Sequence, residues 1–454
     1  MFSGDLFSIL ILLSAAIAGI GIFYICYKRF EFAIFLFLLT PWIFSAFYTN
    51  YPEWINAELQ TGINGYLRGG ALAMLGIIGL LKFITKWPEH RGKISLPFIL
   101  LGVFLLLAFV SYFYSLDQRY TFIRASLFTT VFLFLLGLYS WLDSKEKYRL
   151  ALDAAYYYIL FMIVINLIAL FVMPHRVWWW KTPSRFLGLW DHPNSMGGFF
   201  MLSYPVLFYQ LEKSEGKRKT LVVISITFAL LMHFLTGSRT TLLASIFGIG
   251  LWLFMNRKWT KLIYMTLILS VFVFLIFQFI PSSFQRGEGT GITTLTERED
   301  LWQGAYLMIK QNLIKGYGYG VEAKIFAQQK LFDLQGKFFI ASAQQPLHNG
   351  FLSILAGGGV FVFILWLSII IVPIFMFRQI KDSTLQSFVY TIFFIVLLTN
   401  ITENSLTGYM SETDLFFWFA WVLGIKASQS SLQETENMIV GQYNTLEERS
   451  LESV

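Results

Sequence analysis

The feature that most constrains this chain is a series of apolar runs, each close to the length of a helix that crosses a bilayer. Such a helix needs about 20 residues. Thirteen runs are separated by short charged breaks: 6–26, 32–48, 69–86, 96–115, 125–142, 151–173, 195–211, 220–236, 240–256, 262–281, 349–377, 386–402 and 412–425. The chain is 56% hydrophobic and 13% charged, which excludes a soluble domain and a disordered chain. We predict an all-α polytopic membrane protein with 12 or 13 transmembrane helices.

The orientation follows from lysine and arginine in the breaks, because cytoplasmic loops carry an excess of both. One set of breaks holds 19 of them, including Lys28, Lys82, Lys147 and Lys213, and the short breaks of the other set hold 7. The first set is therefore predicted to be cytoplasmic. Because the +7 net charge is distributed in this topological pattern, we expect no nucleic-acid partner.

The spans divide the chain into three predicted regions. Residues 1–175 form the N-terminal transmembrane helices, and residues 176–426 form a second membrane domain that includes one large extracytoplasmic loop, 282–348. Residues 427–454 are polar and are predicted to form a cytoplasmic tail. The single cysteine, Cys26, excludes an internal disulfide and a multi-thiolate metal site.

Two arginines stand beside predicted outer helix starts. Arg239 follows an outer turn with almost no loop, and Ser238 suits an N-cap. A charge so close to the hydrocarbon indicates function, because free N–H groups and a guanidinium together bind phosphate. The alternative is that Arg239 extends to lipid headgroups. Arg185 precedes another outer helix, where a plain interfacial arginine is an equal alternative.

The large loop adds a third arginine and a histidine. A capping-box spacing from Thr296 to Glu299 predicts a helix start, with Arg298 in its first turn. Arg298 either faces an anion or pairs with neighbouring Glu297 or Asp300. His348 closes the loop, next to Asn349, which suits the N-cap of the following span.

Three arginines and a neutral histidine at one membrane surface fit transfer from a lipid-linked pyrophosphate. The arginines hold the pyrophosphate and stabilise the leaving group, and the histidine takes a proton from the attacking hydroxyl. The acidic residues near this surface, including Asp191, Glu403, Glu412 and Asp414, are scattered in the sequence without metal-ligand spacing. We therefore predict no metal and no other cofactor. His192 and His233 are interpreted as a loop residue and a hydrogen-bonding residue within a span.

From about residue 180 to 425, the chain resembles the O-antigen ligase/O-antigen polymerase family of bacterial envelope glycosyltransferases. The resemblance rests on the order and spacing of several short motifs. They are Arg185 with Gly188 and Pro193–Asn194, Thr236–Thr240, Arg298 with Trp302, Gly316–Gly320, and His348–Asn349 followed by Gly357–Gly359.

The resemblance implies a GT-C-like glycosyltransferase architecture in the bacterial inner (plasma) membrane, with the active site on the periplasmic face. It implies an undecaprenyl-pyrophosphate-linked glycan as donor and lipid A-core or another glycan as acceptor. By motif, it implies that Arg185, Arg239 and Arg298 bind the pyrophosphate and that His348 is the base. Arg239 and Arg298 also count among the catalytic residues.

Three other functions remain open at this point. A repeat-unit polymerase of the same family differs only in its acceptor, for which no motif is evident. A transporter of lipid-linked glycans is less favoured, because the charges cluster on one face instead of lying deep in several spans. A different polyprenyl-phosphate-sugar transferase would place an acidic residue in an early outer loop, where Glu53 and Glu58 occur.

Overall fold

The computed structural model describes residues 17–46, 63–90, 94–179, 185–267, 298–322, 324, 347–404, 406 and 411–431. This part of the chain forms helices and connecting turns, without strands, and contains one isolated bridge between Trp178 and Phe186. The longer helices are α1 (Ile17–Lys28), α2 (Phe30–Ala46), α3 (Ile63–Thr85), α4 (Leu96–Val110), α5 (Gln118–Trp141), α6 (Lys145–Val172), α7 (Pro193–Lys213), α8 (Gly216–Thr236), α9 (Arg239–Met255), α10 (259–267), α11 (Arg298–Gln311), α12 (Gly350–Phe377), α13 (Ser383–Asn400) and α14 (412–431).

Seven of the described helices are long and apolar enough to cross a bilayer. They are α3, α4 with the 3₁₀ turn that follows it, α5, α6, α8, α12 and α13. The predicted class, an all-α polytopic membrane protein, is confirmed. Helices α1, α2 and α9 coincide with predicted spans, but their apolar parts have at most 17 residues and are shorter than those of the seven helices above. The number of 12 or 13 spans therefore stays a prediction.

Several helices extend beyond their predicted spans, α6 and α14 among them, because polar turns continue them past the apolar run. Helix α6 begins at Lys145, six residues before the predicted span at 151, with Ser144 in the N-cap position. Helix α14 continues to residue 431, into the segment predicted as the tail. There Gln429 accepts a hydrogen bond of 2.6 Å from the hydroxyl of Tyr139, which ties that turn to α5.

Glycines allow α3 and α5 to cross almost backbone to backbone. A Cβ on Gly137 would lie 2.3 Å from the Cα of Gly79, so neither position has space for a side chain. Small residues at such crossings are typical of membrane helices, where close van der Waals contact replaces the hydrophobic effect as the driving force.

Helix α14 lies at the centre of the bundle. Its residues from Leu415 to Leu423 are each no more than 2% exposed, which is typical of a helix that is apolar on all sides. The indole of Trp421 donates a hydrogen bond of 3.0 Å to the carbonyl of Ile369 in α12. The start of α14 lies at the same end of the molecule as the starts of α7, α9 and α12, because residues at or next to all four starts line one cavity.

Polar contacts define two ends of the bundle. At the lysine-rich end, Lys86 pairs with Asp143 and Lys213 pairs with Asp382 at 3.0 Å, which joins breaks that were predicted to share one membrane face. At the opposite end, here called the site end, the Gly316–Gly320 turn meets α12. The N–H groups of Tyr317 and Gly318 donate to the carbonyls of Ala356 and Gly357, each at 2.9 Å.

Candidate functional site

The carboxylate of Glu403 joins two of the predicted site residues. Glu403 follows α13 at the site end and accepts a hydrogen bond of 2.7 Å from Nη2 of Arg298 on its Oε1. Its Oε2 lies 3.1 Å from Nδ1 of His348. An arginine, a carboxylate and a histidine from three separate elements therefore form one hydrogen-bonded group.

The charges around Glu403 determine its protonation. Burial by itself would raise the pKa of Glu403, but the hydrogen bond from His348 and the charge of Arg298 outweigh it. The net pKa of Glu403 lies below its ordinary value, so the carboxylate is ionised at neutral pH. An ionised carboxylate only accepts hydrogen bonds, and Nδ1 of His348 must therefore carry the proton. In the neutral imidazole, Nε2 is then the nitrogen with a free lone pair.

The backbone also holds His348 in place. Its φ of 47° lies in the left-handed region, which is uncommon for a residue other than glycine and tends to occur at functional sites. On one side, the indole of Trp302 donates 3.0 Å to the carbonyl of Leu347. On the other side, Asn349 caps α12 by accepting a hydrogen bond of 3.0 Å from the N–H of Leu352, as predicted.

Helix α11 positions Arg298 by burying its apolar face. Leu301, Ala305 and Met308 lie in a buried cluster with Leu347 and Tyr317. The described helix begins at Arg298, so the predicted start at Thr296 and the side chains of Glu297, Glu299 and Asp300 lie outside the described residues. The partner of Arg298 is the distant Glu403.

Arg185 connects to the same group through Asn194. Its Nη2 donates 2.9 Å to Oδ1 of Asn194, whose Nδ2 lies 3.4 Å from Oε1 of Glu403. Arg185 as a whole is only 3% exposed, and its guanidinium donates from Nε to the carbonyl of Thr236 at 2.8 Å and lies 5.3 Å from the ring of Trp179. The structure thus brings Arg185, Arg298 and His348 into one network.

Arg239 is the first residue of α9, at the edge of this network. Ser238 occupies the N-cap position as predicted, but its side chain makes no capping hydrogen bond. The start of α9 lies against the start of α7, where a Cβ on Gly197 would come within 2.5 Å of the hydroxyl of Thr241. Arg239 therefore stands at a helix N-terminus two residues before Thr241, and its role in binding pyrophosphate stays a prediction.

A cavity of about 230 Å³ lies among these helix starts. Most of its lining residues carry polar side chains, and they come from α7, α9, α13 with the segment after it, the turn before α12, and the start of α14. The lining residues are Asn194, Ser195, Gly198, Met201, Thr241, His348, Thr399, Glu403, Asn404, Ser411, Glu412 and Thr413. Hydroxyl, amide and carboxylate groups of this kind match the hydrogen-bonding groups of sugars and phosphates.

Two of the acidic residues that are scattered in the sequence come together in the structure. Glu403 and Glu412 line the same cavity, because the ends of α13 and α14 meet there. The indole of Trp190 donates 2.6 Å to Oε1 of Glu412. Sequence reasoning missed Glu403, although one signal was available: it follows a predicted span at the same membrane face as His348. No group of three metal-ligating side chains occurs in the described ranges, and metal independence stays a prediction.

The other histidines have structural contacts. His233 is buried and lies 3.1 Å from the hydroxyl of Tyr204 and 3.0 Å from that of Thr241, in agreement with a hydrogen-bonding residue. His192 is the N-cap of α7, where its Nδ1 accepts from the N–H of Asn194 at 3.0 Å. The loop residues 325–346 and the early Glu53 and Glu58 lie outside the described residues.

A known family model matches the central part of the chain. Residues 224–367 match the family model described as O-antigen ligase. Over these residues the chain is similar to the O-antigen ligase family. No curated protein matches the chain. The matched segment includes Arg239, Arg298 and His348, whereas Arg185, Asn194 and Glu403 lie outside it. The match supports a membrane glycosyltransferase activity of the O-antigen ligase/polymerase type.

Proposed function

We propose that this protein transfers a glycan from undecaprenyl pyrophosphate to a hydroxyl of an acceptor, with lipid A-core as the acceptor. The observation that supports this most is the Arg298–Glu403–His348 group, of which Glu403 and His348 line the cavity. The O-antigen ligase description of the matched segment favours the ligase over the polymerase. In this proposal the protein lies in the bacterial inner membrane, and the cavity opens towards the periplasm.

His348 is the proposed general base. Because Glu403 fixes the proton on Nδ1, Nε2 accepts the proton of the acceptor hydroxyl as its oxygen attacks the anomeric carbon. The bond from that carbon to the pyrophosphate breaks in the same transfer, and undecaprenyl pyrophosphate leaves. A base in this position contributes about 10²–10⁴-fold to the rate.

The three arginines are the proposed pyrophosphate clamp. A guanidinium has five N–H donors, and Arg298 directs Nη2 to Glu403, so the remaining donors are suited to an anion. Arg239 adds its charge at the N-terminus of α9, where helix N–H groups also favour anions. Arg185 holds Asn194 against Glu403 and adds a buried positive charge beside this group. These cations take the charge-neutralising role of a metal, and we expect transfer to persist in a chelator.

The direct experiment offers the purified protein an undecaprenyl-pyrophosphate glycan together with lipid A-core or, separately, a second lipid-linked repeat. We expect the glycan on lipid A-core. In Arg298→Ala, transfer should fall about 10²–10³-fold, because a charge-stabilising donor is lost. Lys310→Ala, at an exposed position near the other end of α11, is the matched control and should transfer at the wild-type rate.

Each other outcome has a defined meaning. A ladder of glycan on the lipid carrier would identify a polymerase. No product with either acceptor, together with movement of the lipid-linked glycan across liposomes, would identify a transporter. Wild-type transfer by Arg298→Ala would contradict the proposed clamp.

A further inference from the structure

Four lysines gather at the lysine-rich end, although they come from three separate helices. Lys28 ends α1, Lys82 lies in the last turn of α3, Lys86 follows α3, and Lys147 lies in the first turn of α6. Lys147, Lys86 and Lys28 each repel the charge of Lys82. Folding therefore concentrates positive charge that the sequence distributes over about 120 residues.

The neighbouring carboxylates do not balance this charge. Asp143 pairs with both Lys86 and Lys147, and Glu31 pairs with Arg29 at 3.6 Å. Among the described residues, Lys82 and Lys28 have no ion-pair partner. Their ammonium groups lie over the rings of Tyr27, at 4.6 Å, and Tyr24, at 5.8 Å. Two of the four lysines are therefore available to an anion.

The surface beside these lysines is suited to lipid. Ile77 and Ile84 of α3 are more than half exposed, and the side chains of Leu81 and Trp87 are also exposed. Tyrosine and tryptophan occur typically at the level of lipid headgroups, and the exposed aliphatic side chains below them contact acyl chains. Cations above an apolar face match an anionic phospholipid in both parts of its structure.

We propose that Lys28, Lys82, Lys86 and Lys147 form a binding site for a phospholipid with two phosphates, of the diphosphatidylglycerol type. Basic pockets between membrane helices on the cytoplasmic side bind such headgroups. A lipid with two phosphates supplies the negative charge that Lys28 and Lys82 lack. It also reaches Lys86 and Lys147, which share the single carboxylate of Asp143. This site lies at the opposite end from the Glu403 cavity and does not depend on the proposed transfer reaction.

The test is a titration of delipidated protein in neutral detergent by native mass spectrometry. The probes are diphosphatidylglycerol, phosphatidylglycerol and phosphatidylethanolamine. We expect at least tenfold tighter binding of diphosphatidylglycerol than of phosphatidylglycerol, and weaker binding still of the zwitterionic lipid. In Lys28→Gln/Lys82→Gln, the affinity for diphosphatidylglycerol should fall on the order of 30-fold, from two lost lysine–phosphate contacts.

Lys217→Gln/Lys219→Gln is the matched control, since it removes two exposed lysines at the start of α8 at the same end. We expect it to bind diphosphatidylglycerol like the wild type. Equal loss in both variants, or equal affinity of the wild type for diphosphatidylglycerol and phosphatidylglycerol, would overturn the proposal. If the first double variant does not fold, the lipid preference of the wild type and retained binding by Lys82→Arg decide the question.

Discussion

Glu403 receives contacts from both His348 and Arg298, and the protonation of the whole group depends on this shared carboxylate. If Glu403 lost its charge, the carboxylate would no longer hold the proton of His348 on Nδ1. It would also release Arg298 from a fixed position. Glu403 is therefore a positioning residue in the proposed reaction: it acts through the histidine and the arginine.

Glu403→Gln should slow transfer about 10²-fold, because the amide keeps the size of the side chain but no longer fixes the imidazole. The measurement is the single-turnover rate with saturating lipid-linked donor. A rate within a factor of two of the wild type would show that the carboxylate has no part in the reaction.

The pH dependence of stability is the control for this variant. The pKa of Glu403 is lowered in the folded protein, so its stabilisation is complete above the ordinary value of about 4.5 and is lost as the pH falls through the folded value. Thermal unfolding between pH 3 and pH 7 should show this acid-side loss in the wild type and a smaller loss in Glu403→Gln. Identical curves would contradict an ionised Glu403.

The sequence predicted part of this site because some residues carry a local signal. Arg298 and His348 lie next to helix starts, and Asn349 occupies the predicted cap. Glu403 follows the C-terminus of α13, 55 residues after His348, and its role arises only when the ends of α12 and α13 meet. A single sequence does not show which carboxylate reaches across that distance.

At the scale of the elements, the glycines of α12 determine how the Gly316–Gly320 turn fits against this helix. Gly359 has a φ of 74° and a ψ of −179°, a conformation that is almost restricted to glycine, and it interrupts α12. The N–H of the next residue, Val360, donates 2.8 Å to the carbonyl of Leu313 beyond α11. In the sequence, Gly357–Gly359 stood out only as part of a motif, and the kink at Gly359 was not predicted.

Gly359→Ala should destabilise the protein by about 2 kcal/mol or more, because backbone strain adds to a steric clash. The new Cβ would lie 2.2 Å from the carbonyl oxygen of Ile314. The measurement is the unfolding midpoint in detergent. Gly70→Ala, at a helical position with no atom within 4 Å of the new Cβ, is the control and should keep the wild-type midpoint. Equal midpoints for both variants would contradict the strained contact.

At the scale of the whole molecule, the charge pattern of the sequence and the two polar ends agree. The lysine-rich segments between the helices contact each other through the ion pairs Lys86–Asp143 and Lys213–Asp382. The helix starts that carry candidate site residues come together at the opposite end. Hydrophobic length predicted the class of fold because membrane helices must satisfy their own backbone. Hydrophobic length did not predict which helices are in contact, since that depends on the size of the residues at each crossing, such as Gly79 and Gly137.

Rescue of His348→Ala by imidazole tests the proposed base most directly. The variant keeps the Glu403 cavity and loses only the imidazole, so added imidazole supplies the missing base in solution. We predict that His348→Ala transfers glycan about 10²–10⁴-fold more slowly than the wild type, that imidazole restores part of this rate, and that the wild type does not respond. Wild-type transfer by His348→Ala without imidazole would contradict a base at this position.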